Sequence, residues 1–339
     1  MTRNNSAWLL KSRPDTTVTG HDLEMVDLPI PPLEADQVLV RNVYLSLDPT
    51  NRLWMSDRDQ YLPPVGIGDV MRGSTVGIVE ESKSERFSPG DFVLPPDGGW
   101  QLYTVARAAT LSHVRRREGV PLTANLSVLG MTGITAYFGL TDICQPKEGE
   151  TIVVSAAAGA VGSVVGQIAK IKGARVIGIA GGPDKCKWIV EDLGFDAAID
   201  YKNEDVGSAL DRLCTDGIDM NFENVGGAIM DEAFSRLNTH GRMALCGLIS
   251  GYNAEGPFAG PTDFGRILMS RLTVRGFVVI DYLPRAGEAL KALGTWVSEG
   301  RITWKDHVID GLEEAPNALQ RLFRGDHDGK LVLRVSAED

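Results

Sequence analysis

The sequence is poor in the residues that bind metals or form disulfide bonds. Its 339 residues include only 4 cysteines and 5 histidines, and these are scattered along the chain without a C-x-x-C pair. No group of His, Cys and Glu has the spacing of a zinc site. We therefore expect structural thiols, no bound metal, and a reaction in which no Lewis acid activates the substrate.

Long hydrophobic runs and an excess of basic charge are also missing. No apolar stretch approaches the roughly 18 residues that a membrane-spanning helix needs, and the first residues lack the apolar core of a secretory signal. The net charge of −11 argues against nucleic acid or an anionic membrane as a partner. We therefore expect a cytoplasmic protein. We also expect two domains, because 339 residues are more than one ordinary compact core contains.

The segment TIVVSAAAGAVG, residues 151–162, has the pattern of a strand followed by a phosphate-binding turn. Gly159 and Gly162 occupy the second and third glycine places of the G-x-G-x-x-G fingerprint, with Ala157 in the first. Apolar residues then recur at helical spacing, at Val164, Val165, Ile168 and Ile171. Because a strand precedes the turn and a helix follows it, we interpret the segment as a dinucleotide site, with the pyrophosphate at the helix amino terminus.

The second strand of this unit, residues 175–180, is followed by residues that favour a phosphorylated coenzyme. NAD sites usually place a carboxylate about 20 residues after the glycines, where it binds the ribose 2′-hydroxyl. Gly181 and Gly182 stand there instead, and Lys185 just beyond can pair with a 2′-phosphate. Asp184 is an acid that can take the NAD role, although an acid in this position is more typical of a helix start. The pattern predicts NADP(H).

Three blocks of the sequence differ in periodicity. Up to about residue 127 the pattern is one of short strands, at 37–44, 73–80 and 91–94, with Pro- and Gly-rich turns. From 128 to 302 strands alternate with helices, which predicts a doubly wound parallel sheet. A helix over 315–324 and a strand over 331–335 should then return to the first domain. We expect one domain of residues 1–127 completed by 303–339, and a second of residues 128–302.

Motifs spread over nearly the whole chain are similar to those of one enzyme superfamily. They are LSLDP (45–49), MRG (71–73), LGMTGITAYFGL (129–140), AAAGAVGSVVGQIAK (156–170), LGFDAAIDYK (193–202), ENVGG (223–227), GRMALCGLISGYN (241–253) and Gly-Lys (329–330). With the domain order, they resemble the medium-chain dehydrogenase/reductase superfamily, in particular its zinc-free branch of leukotriene/prostaglandin reductases, curcumin reductases and alkenal double-bond reductases. The resemblance implies a GroES-like β-rich catalytic domain and a Rossmann NADP-binding domain.

The resemblance also implies which residues hold NADP(H). The pyrophosphate and 2′-phosphate contacts fall on Gly159, Ala160, Val161, Gly162, Lys185 and Tyr201. Asn224 contacts the coenzyme, and the nicotinamide is lined by Cys246, Gly247, Ile249, Tyr252, Phe277, Val278 and Val279. His327 stands where relatives commonly carry an Asn that contacts the coenzyme. Its imidazole either replaces that donor or faces solvent.

The reaction that the resemblance implies is the reduction of an α,β-unsaturated ketone or aldehyde by hydride transfer to the β-carbon. Negative charge then builds on the carbonyl oxygen as an enolate forms. Tyr252 is the catalytic candidate, because phenols, with a reference pKa of about 10, stay protonated at neutral pH and donate hydrogen bonds to an oxyanion. The coenzyme ribose hydroxyl is an alternative donor, and either Tyr252 or water protonates the α-carbon. Alternatively, Tyr252 only packs in the pocket wall or against the nicotinamide.

Four residues are candidates for the substrate pocket, namely Tyr44, Asp48, Met131 and Thr132. Met131 and Thr132 fit a role at the domain junction equally well, and Asp48 before Pro49 is also typical of a turn. Relatives often have Tyr-Met-Arg after this proline, whereas this chain has Thr-Asn-Arg at 50–52. We therefore expect a different pocket wall and a different preferred substrate.

Two other functions fit the same sequence. A zinc-free NADPH quinone reductase shares the fold and the coenzyme, and a non-catalytic NADPH-binding protein can be built on the same fold. Residues 273–279 also have the pattern of an edge strand, which predicts a homodimer formed by strand pairing. An edge covered within the monomer is the alternative.

Overall fold

The computed structural model describes residues 4–114 and 116–339. The chain divides into two compact units, one formed by Met1–Leu126 with Asp306–Asp339 and the other by Ser127–Lys305. The unit boundaries thus fall after residues 126 and 305, whereas the sequence pattern places them after residues 127 and 302. Among the described residues, no helix has both the length and the apolar character needed to cross a membrane.

The strands of the described residues are, in chain order, β1 (Asn4–Leu10), β2 (Leu23–Pro29), β3 (Gln37–Ser46), β4 (Thr75–Ser82), β5 (Phe92–Leu94), β6 (Tyr103–Arg107), β7 (Ser112–His113), β8 (Thr151–Val154), β9 (Arg175–Ala180), β10 (Ala197–Asp200), β11 (Ile218–Glu223), β12 (Leu237–Leu245), β13 (Thr273–Gly276), β14 (Asp306–Asp310) and β15 (Lys330–Arg334). The α-helices are α1 (Thr50–Trp54), α2 (Met131–Phe138), α3 (Gly162–Ile171), α4 (Pro183–Glu191), α5 (Val206–Leu213), α6 (Gly227–Ser235), α7 (Arg266–Met269), α8 (Ala286–Ser298) and α9 (Ala315–Arg324).

The unit Ser127–Lys305 is built on a six-stranded sheet in the order β10-β9-β8-β11-β12-β13. Neighbouring strands run parallel throughout. This is the doubly wound Rossmann order, whose direction reverses between β8 and β11 and leaves a ligand crevice at the carboxyl ends of those strands. β8 takes the central place because its apolar residues Ile152, Val153 and Val154 are buried on both faces of the sheet.

Helix α3 packs on this sheet through the apolar side chains that the helical spacing predicts. Val164, Val165 and Ile168 are buried. Gly166 lets the helix come close, since a Cβ there would lie 1.8 Å from the ring of Phe195. The amino end of α3 is therefore held at the carboxyl end of β8, where a dinucleotide fold binds its ligand.

The other unit carries a seven-stranded sheet in the order β14-β15-β3-β4-β5-β7, with β6 paired to β3. β15 pairs antiparallel with β3, Val332 lying opposite Ser46. The carboxyl-terminal strand thus returns to the amino-terminal sheet, as the sequence predicts. The core of this unit gathers around the fully buried Trp100, and β1 pairs with β2 outside this sheet.

Helix α9 has the bounds that the sequence pattern predicts. Pro316 lies in its first turn, where proline costs no hydrogen bond, and Gly325 ends it in the left-handed conformation with φ 72°. Together with the two sheets, this confirms the predicted fold class, a β-rich domain and a doubly wound parallel Rossmann domain.

The predicted strand over 273–279 is wrong in its last three residues, because β13 ends at Gly276. The register pairs Gly276 with Leu245, which is also the last residue of β12. The neighbouring strand therefore offers no further backbone groups to Phe277, Val278 and Val279, although their side chains have high strand propensity. Val279 begins a 3₁₀ segment instead.

Candidate functional site

The turn between β8 and α3 is shaped by close backbone contacts. Ala156 takes the left-handed conformation with φ 49°. A Cβ on Gly162 would lie 2.4 Å from the Ala156 carbonyl oxygen and 2.9 Å from Ala157 Cα, so internal packing requires glycine there. A Cβ on Gly159 would meet, among the described atoms, only that carbonyl oxygen at 3.1 Å. Close approach of a ligand such as a pyrophosphate gives a reason for this second glycine.

Ala160 and Val161 complete the turn, and both are half-buried. Val161 is the residue that precedes α3, and its carbonyl accepts the N–H of Val165 at 3.0 Å. The first backbone N–H groups of a helix have no partner within the helix, and the helix dipole favours an anion beside them. The four predicted pyrophosphate residues are thus adjacent at one helix amino terminus.

Lys185 and Tyr201 follow the ends of two neighbouring strands, β9 and β10. A Cβ on Gly181 would lie 2.8 Å from the Tyr201 ring, so this glycine allows the ring to pack on the backbone. Tyr201 follows β10 and is 42% exposed, and Lys185 lies half-buried in the first turn of α4. The structure therefore places Tyr201 at the end of β9, and Lys185 follows that strand end in α4. Binding of a 2′-phosphate by these two residues stays a prediction.

The carboxylate of Asp200, near the same strand end, is engaged by its neighbours. Its Oδ1 accepts the N–H of Gly182 at 2.7 Å, and its Oδ2 accepts from Asn203 Nδ2 at 2.7 Å. Burial acts to raise the pKa of Asp200, but these hydrogen bonds lower it below the ordinary value. Asp184 is exposed in the first turn of α4, where an acid stabilises a helix. Both acids thus have structural roles, and the residues present fit NADP(H).

Glu223 is a buried acid at the carboxyl end of β11, and the sequence pattern assigns it no individual role. Its Oε1 accepts hydrogen bonds from Ser155 Oγ at 2.9 Å and from the N–H groups of Val225 at 2.6 Å and Gly226 at 2.8 Å. Burial raises the pKa of Glu223, against the effect of these hydrogen bonds. An acid that ends a buried central strand is the signal for such a residue, because a buried carboxylate must find donors.

Asn224 is fixed against the turn that follows β8. Its N–H donates to Ser155 Oγ at 2.8 Å and its Nδ2 to the Ser155 carbonyl at 2.7 Å. Its own carbonyl accepts the N–H of Ile249 at 3.2 Å. The segment after β12 is also tied to β11, since Cys246 donates its N–H to the Glu223 carbonyl at 2.9 Å. The structure therefore brings Asn224 together with the predicted nicotinamide segment.

Tyr252 lies at the end of that segment and is only 8% exposed. Its hydroxyl oxygen accepts the N–H of Leu248 at 3.2 Å and lies 3.2 Å from the Cβ position of Gly247. The Asn224 carbonyl oxygen is 3.3 Å from the same Cβ position, so the tyrosine hydroxyl and Asn224 flank one glycine. A hydroxyl that accepts a hydrogen bond is polarised to donate one.

Cys246, the first residue of the segment, is half-buried. Burial, and then the negative charge of Glu223, raise the pKa of the Cys246 thiol to about 12. Since the thiolate is the reactive form of cysteine, Cys246 is an unreactive thiol at neutral pH.

Phe277 packs against the central strand β11. Its ring meets Phe222 edge-on, with 6.2 Å between centroids, and lies 2.5 Å from the Cβ position of Gly139. Gly139 begins a π-helical turn, Gly139–Cys144, that continues α2, and its missing side chain makes room for the ring. Val278 and Val279 follow, half-buried. Phe277 therefore lies next to β11, whereas coenzyme contacts of all three residues stay predictions.

Thr132 and Met131 open helix α2. Thr132 Oγ1 donates to the Ser127 carbonyl at 2.9 Å, and a Cβ on Gly133 would lie 2.0 Å from the Val128 carbonyl oxygen. Thr132 therefore stabilises the turn before the helix, whereas Met131 is 36% exposed. A contact of either residue with substrate stays a prediction.

Asp48 and Tyr44 are engaged with neighbours in the β-rich unit. Asp48 accepts a hydrogen bond from the Ser46 hydroxyl and, at 2.9 Å, from Lys330 Nζ. This ion pair with the buried lysine ties the Gly-Lys motif to the Asp-Pro turn. Tyr44 donates to Glu338 at 2.8 Å, and burial, followed by Glu338, raises its pKa to about 12. Substrate contacts of Asp48 and Tyr44 stay predictions, as does the coenzyme contact of His327, which lies half-buried after α9.

Comparisons with known proteins cover both units. The family described as "N-terminal domain of oxidoreductase" matches residues 6–114, and the family described as "Zinc-binding dehydrogenase" matches residues 160–296. In the part of the chain that the structure describes, no group of three or more His, Cys, Asp or Glu side chains is placed to hold a metal ion.

The chain is also similar over its length to characterised reductases. NADPH-dependent curcumin reductase of Escherichia coli (strain K12) is 43% identical, with 99% of each chain covered. 2-Alkenal reductase (NADP(+)-dependent) of Nicotiana tabacum is 38% identical, covering 95% of this chain and 96% of that protein. The crystal structure of CurA in complex with NADPH from Vibrio vulnificus matches with a TM-score of 0.93 at 43% identity, covering 98% and 99%. The chain belongs to the zinc-free branch of the medium-chain dehydrogenase/reductase superfamily, and it is an NADP(H)-dependent oxidoreductase.

Proposed function

We propose that this enzyme reduces the carbon–carbon double bond of α,β-unsaturated ketones or aldehydes with NADPH. The observation that carries the proposal is the Tyr252 hydroxyl, held by the Leu248 N–H next to Gly247 and Asn224 at the carboxyl end of the parallel sheet. The relatives named curcumin reductase and 2-alkenal reductase support the substrate class.

In this proposal the Rossmann unit binds the coenzyme through the groups placed along the sheet edge. The turn from Gly159 to Gly162 binds the pyrophosphate, Lys185 and Tyr201 bind the 2′-phosphate, and Asn224 with the segment after β12 lines the nicotinamide. NADPH, when bound, supplies the hydride for the β-carbon. The protein's own contribution at the reacting end is the position of the Tyr252 hydroxyl.

Tyr252 donates a hydrogen bond to the substrate carbonyl oxygen, on which negative charge builds during the reaction. The Leu248 N–H holds the hydroxyl in place and polarises it. Tyr252 or a water molecule then protonates the α-carbon. The raised pKa of Cys246 suits this chemistry, because a thiolate at the same place would itself add to an unsaturated carbonyl.

The proposal is tested by following NADPH absorbance with a panel of enones, enals, quinones and saturated ketones. We expect turnover of enones or enals, and little with saturated ketones. Turnover of quinones alone would replace the proposal with a quinone reductase, and binding of NADPH without turnover of any compound would make the chain a non-catalytic binding protein.

The substitution Tyr252→Phe tests the donor. We expect kcat to fall about 10²- to 10³-fold, as when other preorganised oxyanion donors are removed, with the Kd for NADPH little changed. Tyr137→Phe is the matched control, since the Tyr137 hydroxyl donates to Glu288 on the exposed surface. An unchanged chemical step in Tyr252→Phe at saturating NADPH would leave Tyr252 with a packing role only.

We also propose a cytoplasmic homodimer. β13 is an edge strand of the six-stranded sheet, and large apolar side chains next to it in sequence are exposed, with Phe264 at 69%, Leu268 at 73% and Met269 at 70%. Pairing of β13 with its copy would extend the sheet and cover such a surface.

A further inference from the structure

Glu223 joins three segments that meet at the carboxyl ends of the central strands. Its side chain accepts from Ser155, at the start of the phosphate-binding turn, and from the N–H groups of Val225 and Gly226, in the loop after β11. Its backbone carbonyl accepts the N–H groups of Cys246 at 2.9 Å and Gly247 at 3.1 Å, in the segment after β12. A single residue thus bonds to the Ser155 hydroxyl after β8 and to the backbone of the segments after β11 and β12.

The loop after β11 needs such an anchor because its backbone conformation is unusual. Gly226 and Gly227 have φ values of 82° and 58°, in the left-handed region where glycine loses more conformational freedom on ordering than other residues. The hydrogen bonds of Glu223 to the N–H groups of Val225 and Gly226 order this part of the loop. Their acceptor is fully buried, so water does not compete for them.

The anchored loop in turn holds the segment that carries Tyr252. The Val225 carbonyl accepts the N–H of Ser250 at 3.0 Å and its hydroxyl at 2.6 Å. The Asn224 carbonyl accepts the N–H of Ile249 at 3.2 Å. A shift of the loop therefore moves both Asn224 and the short 3₁₀ segment, Ile249–Gly251, that precedes Tyr252.

We propose that Glu223 is a positioning residue for the coenzyme, which acts by fixing Ser155 and the backbone of residues 224–226 so that the phosphate-binding turn and the nicotinamide segment keep the geometry that NADPH requires. The inference rests on the coenzyme site of the proposed function, and it does not depend on the substrate. Glu223 itself touches none of the reacting atoms in this proposal.

The surroundings of Glu223 also predict how it tolerates substitution. Oε2 accepts from Asn221 Nδ2 at 3.2 Å, and Asn221 Oδ1 finds no hydrogen-bond partner among the described residues. In Glu223→Gln, the amide oxygen can still accept from the Ser155 hydroxyl and from the two loop N–H groups. Rotation of the Asn221 amide then turns its Oδ1 toward the new NH₂ group of the glutamine. Glutamine therefore conserves the anchor, whereas alanine removes it.

The experiment measures the Kd for NADPH by calorimetry, together with the thermal unfolding temperature, in the full-length chain. We expect about a tenfold or larger rise in Kd for Glu223→Ala and Ser155→Ala, since each loses hydrogen bonds that position the site, and a Kd within about threefold of wild type for Glu223→Gln. Ser155→Ala carries the test if Glu223→Ala does not fold.

Glu150→Ala is the matched control, because Glu150 pairs with Arg242 in the same unit but precedes β8, at the opposite end of the strands. It should lower the unfolding temperature without changing Kd. The inference would be overturned if Glu223→Ala or Ser155→Ala kept the wild-type Kd, or if Glu150→Ala lost affinity equally. It would also be overturned if Glu223→Gln bound NADPH as weakly as Glu223→Ala. Wild-type enzyme that binds NADPH but reduces no enone would refute the proposed function and leave this affinity pattern unaffected.

Discussion

In the proposed coenzyme site, a few side chains near the end of β9 select between NADPH and NADH. Lys185 lies in the first turn of α4, and the nearby carboxylate of Asp200 is occupied by the Gly182 N–H and by Asn203. In the proposed site a 2′-phosphate meets the charge of Lys185, whereas the Asp200 carboxylate is already engaged by these backbone and side-chain donors.

The substitution Lys185→Ala should therefore weaken the binding of NADPH much more than the binding of NADH. Loss of a hydrogen bond to a charged group costs about 1.5–3 kcal/mol, or about 10- to 100-fold in Kd. Calorimetric titration with both coenzymes checks this, and Lys187→Ala is the control because Lys187 is exposed on the same helix and pairs with Glu191. An equal loss for both coenzymes would show that Lys185 does not bind the 2′-phosphate.

The thiols give a second prediction at this scale. Burial and then the charge of Glu223 raise the pKa of Cys246 to about 12, whereas burial and then Asp200 and Glu204 raise that of Cys186 to about 11. A thiol is the neutral form below its pKa, so roughly 10⁻⁴ of Cys246 is thiolate at pH 8. We expect iodoacetamide to modify Cys186 before Cys246 as the pH rises, as measured by peptide mass spectrometry. Rapid modification of Cys246 at pH 8 would contradict this.

At the scale of elements, the turn between β8 and α3 uses its two glycines for different reasons. Gly162 faces backbone atoms at 2.4 Å and 2.9 Å from its Cβ position, whereas Gly159 faces one carbonyl oxygen at 3.1 Å. Gly162 is therefore required by the packing of α3 against the turn after β8. Gly159 is required, in the proposed coenzyme site, by the approach of the pyrophosphate.

This difference predicts that two alanine substitutions differ in their effect on stability. Gly162→Ala should lower the free energy of unfolding by about 1–3 kcal/mol, because the overlapping atoms are backbone and must shift, and should also weaken NADPH. Gly159→Ala should leave the free energy of unfolding nearly unchanged but weaken the binding of NADPH. Denaturant unfolding and coenzyme titration of both variants separate the two effects, and equal destabilisation would remove the distinction.

The end of an edge strand is hard to predict from sequence, because it depends on the neighbouring strand. The bounds of β9 and α9 follow from their own apolar pattern and flanking glycine or proline, and the structure confirms them. β13 ends three residues before the predicted strand does, because β12 ends opposite Gly276. Hydrogen bonding to a neighbour, rather than strand propensity, decides where an edge strand stops.

At the scale of the whole molecule, the exposed apolar side chains near β13 predict a dimer. Met269→Asp should shift the protein to the monomer, because it places a charge in a surface that pairing would bury. Light scattering after size-exclusion chromatography measures the mass, and Ile67→Asp, at another exposed apolar residue, is the control. If wild type and Met269→Asp have the same mass, the dimer does not form through this surface.

The sequence by itself determined the fold class, the family and the preference for NADP(H), because these depend on local signals: the spacing of apolar residues, glycines in a short turn, and a lysine where an acid would serve NAD. Only the tertiary structure revealed that the buried Glu223 bonds to Ser155 and that the Tyr252 hydroxyl is held by Leu248 next to Asn224. The hydrogen bond between Ser155 and Glu223 joins residues at the ends of two separate strands. Such contacts arise when parallel strands bring their carboxyl ends to one edge, and no short-range pattern encodes that meeting.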